Sequence, residues 1–460
     1  VPAVAAVTYL APFEEIQVVQ GLMRPTCVAF SPDGRIFIAE KLGRIKVITA
    51  AGQLLPTPFA TVSVNNANDR GLLGIALVPG FPSTPYVYLA YTTNIIPPNP
   101  NNSLSRIHRI TRMTANGDVM LPGSEVILVD NIPSDTDSHT GGSLRFGADG
   151  KLYASIGDGS DYSTVNALAL RALDVNELVG KILRVNPDGS VPTDNPFYTT
   201  PTAARSKVWQ LGLRNPFRNV FRPATGSLYI EDVGSSLFEE LNVAPAGASF
   251  GWPCYEGNGP NPPYQAAFPA QCAGVSPTAP IYSYSSASGG AITGGAFYNA
   301  TNYPPQYAGL LFLTDYTQHW MKTVTLGAAD TFVSIQDFAL GDATFNPVDL
   351  AVGPDGDLYY LNIAEDFFFP SGTLTRISYV GSGNHAPRPK ASASPTSGYA
   401  PLAVAFSAAG TSDADNDPLT YHWLFGDGAE GNGFTASHTY NANGIYTATL
   451  QVSDAALTRE

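Results

Sequence analysis

Apolar and polar residues alternate along this chain in short runs, and turn residues separate the runs at close intervals. Val28 and Phe30 lead into Ser31-Pro32-Asp33-Gly34, and Ile36-Phe37-Ile38-Ala39 follows. Leu144 and Phe146 lead into Ala148-Asp149-Gly150-Lys151, and Leu152 to Ile156 follows. A third copy turns through Arg222-Pro223-Ala224-Thr225-Gly226 into Leu228-Tyr229-Ile230. A fourth runs from Leu350 and Val352 through Gly353-Pro354-Asp355-Gly356 into Leu358-Tyr359-Tyr360. Asp-Gly or Thr-Gly between two such runs predicts a β-hairpin. Hairpins repeated every several tens of residues predict the blades of a propeller. The repeats end near residue 383, so six blades would take about 64 residues each, above the usual propeller repeat. Long loops between blades are therefore expected, and binding groups tend to sit on such loops. Only Ala167 to Val179 carries a clear helical period.

The texture changes near residue 384. Asn384-His385-Ala386-Pro387-Arg388-Pro389-Lys390 reads as a proline-rich linker, residues 384–390. Residues 391–460 contain strand patterns and no helix: Trp423 to Gly428, His438-Thr439-Tyr440 and Gly444 to Leu450. The expected architecture is all-β, a six-bladed propeller over residues 1–383 and a small Ig-like β-sandwich over 391–460.

Composition agrees and narrows the partners. There are 44 Gly and 38 Pro in 460 residues, with 13% charged residues, which suits many short strands joined by turns. The net charge of −14 repels phosphate backbones, so nucleic acid is excluded as a partner. No apolar run is long enough to span a membrane. The first residues, VPAVAAVTYLAP, lack a basic flank and a full apolar core and read as a mature start. Cys254 and Cys272 bound a proline-rich loop, and a disulfide between them would indicate an oxidising compartment. Cys27 lies within an apolar run and reads as a buried thiol. A secreted or periplasmic location follows from these features together. Asn101-Asn102-Ser103 and Asn299-Ala300-Thr301 are glycosylation sequons, meaningful only in a eukaryotic secretory route.

The densest chemistry lies between Asp137 and Asp161. His139 precedes the first strand of the second hairpin and Asp158 follows its second strand, so the hairpin sets them side by side. A carboxylate beside an imidazole orients and tunes a general base. The plainer alternative is a loop histidine bonded to a neighbouring acid. Asp232, Glu239 and Glu240, with carbonyls near Gly234 and Phe250, could hold Ca²⁺ or form a solvated acidic loop. Arg214-Asn215 could clamp an anionic or quinonoid group, or stabilise a turn. Asp413, Asp415, Asn416 and Asp417 suit Asx turns better than calcium. CxxC, HExxH, GxSxG and P-loop motifs are all missing, and Gly157-Asp158-Gly159 has no Rossmann context.

Seven motifs occur in an order that is specific: Arg70-Gly71-Leu72-Leu73-Gly74; His139-Thr140-Gly141-Gly142 with Gly157-Asp158; Gly180 to Arg184; Leu213-Arg214-Asn215-Pro216; Asp232-Val233-Gly234 with Glu239 to Asn242; Gly251-Trp252-Pro253; and Gly294-Gly295. Over about residues 13 to 380 the chain resembles the soluble pyrroloquinoline-quinone (PQQ)-dependent aldose and glucose/sorbosone dehydrogenases, which are six-bladed propellers. The C-terminal module resembles a PKD (polycystic kidney disease) domain through Trp423, Phe425-Gly426-Asp427-Gly428, His438-Thr439-Tyr440 and Gly444-Ile445-Tyr446. Modules of that kind are usually spacers or units for adhesion and polysaccharide contact.

The resemblance implies roles. His139 would take the proton of a sugar hydroxyl, and Asp158 would orient His139. Arg214 would stabilise charge on the reduced quinone and Asn215 would help hold the cofactor. The carbonyls of Gly234 and Ser235 would ligate a Ca²⁺ that polarises the quinone carbonyl. Glu240 and the carbonyl of Phe250 match a second, structural Ca²⁺ site, and Asp69 falls near the substrate. Electrons would pass to an external acceptor, a small quinone or a cytochrome.

The chain also departs from the family. The glucose dehydrogenases grip the PQQ carboxylates with a lysine on a late strand and two arginines before the final hairpin. Here the late strand reads Asp315-Tyr316-Thr317-Gln318-His319-Trp320 and the pre-hairpin segment reads Phe345-Asn346-Pro347-Val348-Asp349, with no Lys or Arg in either. Tyr316, His319, Trp320 and Asn346 are the available replacements for holding the cofactor. The alternative reading is a non-catalytic propeller whose bowl holds a glycan or a protein. A polysaccharide hydrolase or lyase would need a facing pair of carboxylates, which the sequence does not place.

Overall fold

The structure is a computed structural model. It describes the chain except residues 1–6, 10–11, 95–105, 162–164, 287–289, 364–369, 382–383, 385–386, 388, 412 and 414–416. The sequon at Asn101, the residues Asp415 and Asn416, and much of the expected linker lie outside the described residues. Two compact units form, one of Val4–Ala11 with Glu15–Ser378 and one dominated by Tyr379–Glu460.

The larger unit contains six antiparallel sheets of at least four strands, which are the six blades. Their innermost strands, in chain order, are Pro25–Phe30, Leu72–Leu77, Gly141–Phe146, Pro216–Phe221, Ile292–Phe297 and Pro347–Val352. We number the blades 1 to 6 in that order. Blade 6 is closed by Phe13–Leu22, an N-terminal strand that pairs with Gly372–Tyr379. Hairpins at the turns near residues 33, 149, 225 and 355 form as their Asp-Gly and Thr-Gly signals predict. Blade 2 turns instead through Pro79-Gly80-Phe81-Pro82, and blade 5 through a longer connection containing the 3₁₀ turn Pro305–Tyr307.

Every blade repeats one device at its inner end. The register of the innermost pair slips after its first residues in all six blades. At that end one backbone bond closes the pair, an N–H just after the second strand (in blade 2, within its last residues) meeting the C=O before the first. These bonds are Lys41 to Arg24, Thr92 to Gly71, Gly157 to Thr140, Val233 to Asn215, Tyr316 to Ala291 and Ile363 to Asn346, at 2.9 to 3.3 Å. In four blades the last side chain of the second strand also accepts from the loop: Glu40 from Met23, Asp232 from Arg214 and Asn215, Asp315 from Ala291, and Asn362 from Asn346. These buried acceptors satisfy N–H groups that the bulge leaves unpaired.

The expected helix over 167–179 shrinks to a 3₁₀ segment, Ala167–Leu173. The buried Lys181 ammonium accounts for this. It donates to the carbonyls of Arg171, Ala172 and Val179 at 2.7 to 3.0 Å, taking acceptors that further helical turns would use. The loop of Cys254 and Cys272, expected to be irregular, holds two short helices, Pro262–Ala267 and Pro269–Cys272, and the disulfide is formed. Cys27 is a buried free thiol, as expected.

The smaller unit is a β-sandwich. One sheet comprises Ser392–Ser394, Leu402–Ser407 and Thr435–Tyr440, and the other Glu430–Asn432, Thr420–Leu424, Thr449–Ser453 and Thr458–Arg459. Its core is Phe406, Trp423, Phe425, Tyr440, Leu450 and Val452. The third strand expected from Gly444 begins only at Thr449. The motif residues here are structural: His438 bonds Asp427 at 2.7 Å and stacks on Phe425, and the Tyr440 hydroxyl donates to the Phe425 carbonyl. Asp413 accepts the Asp417 N–H at 3.2 Å, four positions on rather than the two of an Asx turn. Among the described residues no helix is long and apolar enough to cross a membrane.

At the centre of the propeller Asp349 of blade 6 ties three other blades together. It accepts the Val28 N–H at 2.9 Å and pairs with Arg145 at 3.3 Å and Arg218 at 3.2 Å. Glu231 is buried beside this cluster with both carboxyl oxygens unpartnered, and burial pushes its pKa up to about 8. A folded-state pKa above the unfolded one means the native state holds a proton that the unfolded state releases. Stability is therefore lost as pH rises between about 4.5 and about 8. Glu231→Gln should raise the melting temperature at pH 8 and change it much less at pH 5. An equal shift at both values in scanning calorimetry would rule this out.

Candidate active site in the propeller bowl

The rim bonds place the loops before the inner strands around one end of the propeller. His139 stands two residues before its strand, with the left-handed backbone φ of 51° that few non-glycine residues adopt. Two contacts hold it there. Its N–H donates to Asp69 at 2.8 Å, and its carbonyl accepts from Gly159. Gly157 allows the approach, because a Cβ there would lie 2.0 Å from the His139 carbonyl.

His139 Nδ1 lies 2.9 Å from the Asp158 carboxylate, which accepts, so Nδ1 carries the proton and Nε2 is left as the basic nitrogen. Asp158 is fully buried and accepts three further bonds: Ser160 N at 2.8 Å, Ser160 Oγ at 2.8 Å and Trp252 Nε1 at 2.7 Å. Burial opposes its ionisation, but His139, Arg214 and these donors outweigh that and hold its pKa below the usual value. Trp252 and Ser160 were not singled out from the sequence. Trp252 lies 94 positions from Asp158, although Gly251-Trp252-Pro253 was visible as a motif.

Arg214 and Asn215 stand at the same rim of blade 4. The Asn215 carboxamide oxygen accepts the Gly141 N–H at 3.1 Å and so joins blade 4 to the histidine loop. Arg214 Nη1 donates to the carbonyls of Val233 and Gly234, and the guanidinium lies 5.5 Å from the Trp252 ring. One of the two carbonyls expected to ligate Ca²⁺ is thus bonded to arginine. The loop that carries them is held by Glu256, whose Oε1 accepts the N–H groups of Ser235, Ser236, Leu237 and Phe238. No sequence pattern pointed to Glu256.

The remaining expected residues are placed as follows. Glu240 is buried, with its oxygens accepting from Gly257 N and Asn242 Nδ2. Phe250 is buried, and its N–H donates to the Leu211 carbonyl at 3.0 Å. Among the described residues no group of three His, Cys, Asp or Glu is set to hold a metal. Residues 316–319, read as strand, form the tight turn between Leu311–Asp315 and Trp320–Leu326. Tyr316 follows the rim bond of blade 5. His319 donates Nδ1 to the Phe345 carbonyl at 2.8 Å and so fixes the loop before Asn346. Trp320 packs in the apolar cluster between blades with Tyr284, away from a role in stacking on a ligand.

Among the described residues, Thr140 Oγ1, Arg214 Nε and Asn346 Oδ1 are buried at the rim with no hydrogen-bond partner. They come from blades 3, 4 and 6, and buried groups of this kind are rare unless something polar meets them. The bowl thus offers a basic imidazole nitrogen, a guanidinium and unsatisfied polar atoms, a fit for a polar, anionic ligand.

Comparison with known proteins follows that geometry. The profile of the family described as Glucose / Sorbosone dehydrogenase matches residues 22–367, and that of the PKD domain matches residues 384–459. Quinoprotein glucose dehydrogenase B of Acinetobacter calcoaceticus is 30% identical over 256 residues, about half of each chain (52% and 52%). Aldose sugar dehydrogenase YliI of Escherichia coli is 25% identical over 78% of this chain and 90% of its own. The PQQ-bound structure of an aldose sugar dehydrogenase from Streptomyces coelicolor superposes with a TM-score of 0.60 at 23% identity, covering 82% of this chain and 99% of that one.

Trp252→Phe removes one donor from a buried carboxylate and should lower the unfolding free energy by about 1.5–3 kcal/mol at neutral pH. Because the Asp158 pKa is depressed in the folded state, its contribution is present above the unfolded carboxylate pKa and is lost as pH falls through the folded value. The urea-denaturation gap between wild type and variant should therefore narrow at acid pH. A gap independent of pH would assign the loss to packing alone.

Proposed function

This chain belongs to the glucose/sorbosone dehydrogenase family, and on that premise we propose that it is a secreted or periplasmic quinoprotein that oxidises an aldose-type sugar at its C1 hydroxyl to the lactone. The observation that carries this reading is the His139–Asp158 pair facing the same bowl as Arg214. His139 Nε2 takes the proton of the sugar hydroxyl. The imidazolium that forms is stabilised by Asp158, which is already ionised and needs no reorganisation. Ser160 and Trp252 keep that carboxylate in place. Asp69 holds the His139 backbone, so the imidazole does not swing out of reach.

The cofactor of the reading is PQQ with Ca²⁺, which when bound supplies the hydride-accepting carbonyl and the Lewis acid that polarises it. Asn215, Asn346 and Tyr316 would hold the quinone, and the carbonyls of Gly234 and Ser235 the metal. A cation on the Gly234 carbonyl would displace the Arg214 guanidinium and leave it to face ligand charge. Glu240 would serve a second Ca²⁺ only after releasing Gly257 or Asn242. Electrons then leave through an external acceptor, a small quinone or a cytochrome. The Cys254–Cys272 disulfide supports an oxidising compartment. The PKD module would contribute contact with polysaccharide.

A second reading, a binding propeller without catalysis, is favoured by one observation: the late blades carry no lysine or arginine at the points where the family grips the PQQ carboxylates. Titration of metal-stripped protein with PQQ and Ca²⁺ separates the two. The dehydrogenase reading expects a rise in melting temperature and bleaching of the quinone when an aldose is added. His139→Gln should keep cofactor binding and lose about 10²- to 10⁴-fold in kcat. Absence of any PQQ binding at micromolar concentration would leave only the binding module.

A further inference from the structure

The six rim bonds make positions in different blades directly comparable. Blade 1 places Arg24 where blade 4 places Asn215 and blade 6 places Asn346. It places Lys41 where blade 5 places Tyr316. Both cations therefore stand at the same end of the propeller as His139 and Arg214. Blade 1 also adjoins blade 6, to which it is bonded through Val28 and Asp349.

Three observations give Arg24 a role toward a ligand. Its backbone φ is 50°, the left-handed region that His139 also occupies and that bulky residues avoid. Tyr316 of blade 5 packs against the apolar cluster that includes Leu22 and Val28, on either side of Arg24; burial lowers the Arg24 pKa, and the Tyr316 phenol opposes that shift. Blade 6 lies between those two blades in the ring. Lys41 commits its ammonium to the carbonyls of Asn66 and Asn68, the loop that carries Asp69 to His139. The Arg24 charge repels that ammonium, and an anion arriving at Arg24 relieves the repulsion. The Asn346 Oδ1 and Thr140 Oγ1 left unpartnered at the rim independently call for a polar ligand there.

We propose that Arg24 binds a carboxylate of the anionic quinone cofactor, in place of the basic residues that blades 5 and 6 lack. The assignment rests on the quinoprotein reading. Arginine is suited to it because its planar fork meets a carboxylate with two parallel bonds. The family's charge complement is thereby moved from the late blades to the first one.

The test is a titration of the full chain, in Ca²⁺, with PQQ and separately with PQQ trimethyl ester, followed by quinone absorbance. Wild type, Arg24→Gln and Arg24→Lys are compared. For Arg24→Gln the dissociation constant for PQQ should rise about ten- to hundredfold, with partial recovery in Arg24→Lys. Affinity for the ester should be alike in all three. Where Arg24→Gln does not fold, judged by circular dichroism, the ratio of PQQ to ester affinity in Arg24→Lys decides: a several-fold drop supports the proposal and an unchanged ratio overturns it. Equal PQQ affinity in wild type and Arg24→Gln overturns the role of Arg24 and leaves the quinoprotein reading standing. Failure of wild type to bind PQQ removes that reading, and this proposal falls with it.

Discussion

A backbone bond at the inner end of each hairpin fixes where everything else in the bowl can be. The bulge after the first residues of each inner strand turns the preceding loop toward the axis, and the bond from the residue after the second strand stops that loop from fraying. The loops bring N–H groups into a region with few backbone acceptors. Glu40, Asp232, Asp315 and Asn362 supply acceptors from the side chain one position earlier. A buried carboxylate used this way would read from sequence as a metal ligand. Asp232 shows the ambiguity: it lies within an acidic stretch, yet both its oxygens serve the N–H groups of Arg214 and Asn215. Its first task is to hold the arginine loop.

Local features were legible in the sequence, and features that depend on closure of the ring were not. Four hairpins announced themselves by Asp-Gly or Thr-Gly, because the turn chemistry is contained in two residues. Blades 2 and 5 carry turns built from prolines and a longer connection, which no two-residue turn signal marks. His139 and Asp158 were paired because one hairpin joins them. Trp252 and Glu256 were not, since each acts on a loop contributed from elsewhere in the fold. Lys181 ended the expected helix from outside it. Arg24 gave no signal either, as a single arginine before Pro25. It acquires meaning only when the register of six blades sets it level with Asn215.

The site divides its polar groups into those already satisfied and those that are not. Asp158 accepts four bonds and Glu256 Oε1 accepts four backbone N–H groups, so both are fixed before any ligand arrives. Such preorganisation lets charge develop on His139 without moving neighbours. Thr140, Arg214 and Asn346 keep an unpartnered atom each. In the proposed function the first group would support the chemistry of the sugar hydroxyl, and the second would meet the bound cofactor.

Electrostatics then limits what that something is. The protein as a whole carries a net charge of −14, and an anionic cofactor approaching it meets repulsion at long range that salt screens. Inside the bowl Arg24, Lys41 and Arg214 stand on the rims of blades 1 and 4, and the ionised Asp158 is held by His139, Ser160 and Trp252. A neutral sugar experiences neither field strongly. On the proposed quinoprotein reading it would enter and leave beside His139 while the anionic cofactor stays held by the arginines. On the same reading, moving the cations from the late blades to the first would keep that separation between a retained cofactor and an exchanging substrate. It changes the side of the bowl from which the cofactor is gripped. The side facing blades 5 and 6 is lined instead by Tyr316, His319 and Asn346, which can shape a pocket without adding charge.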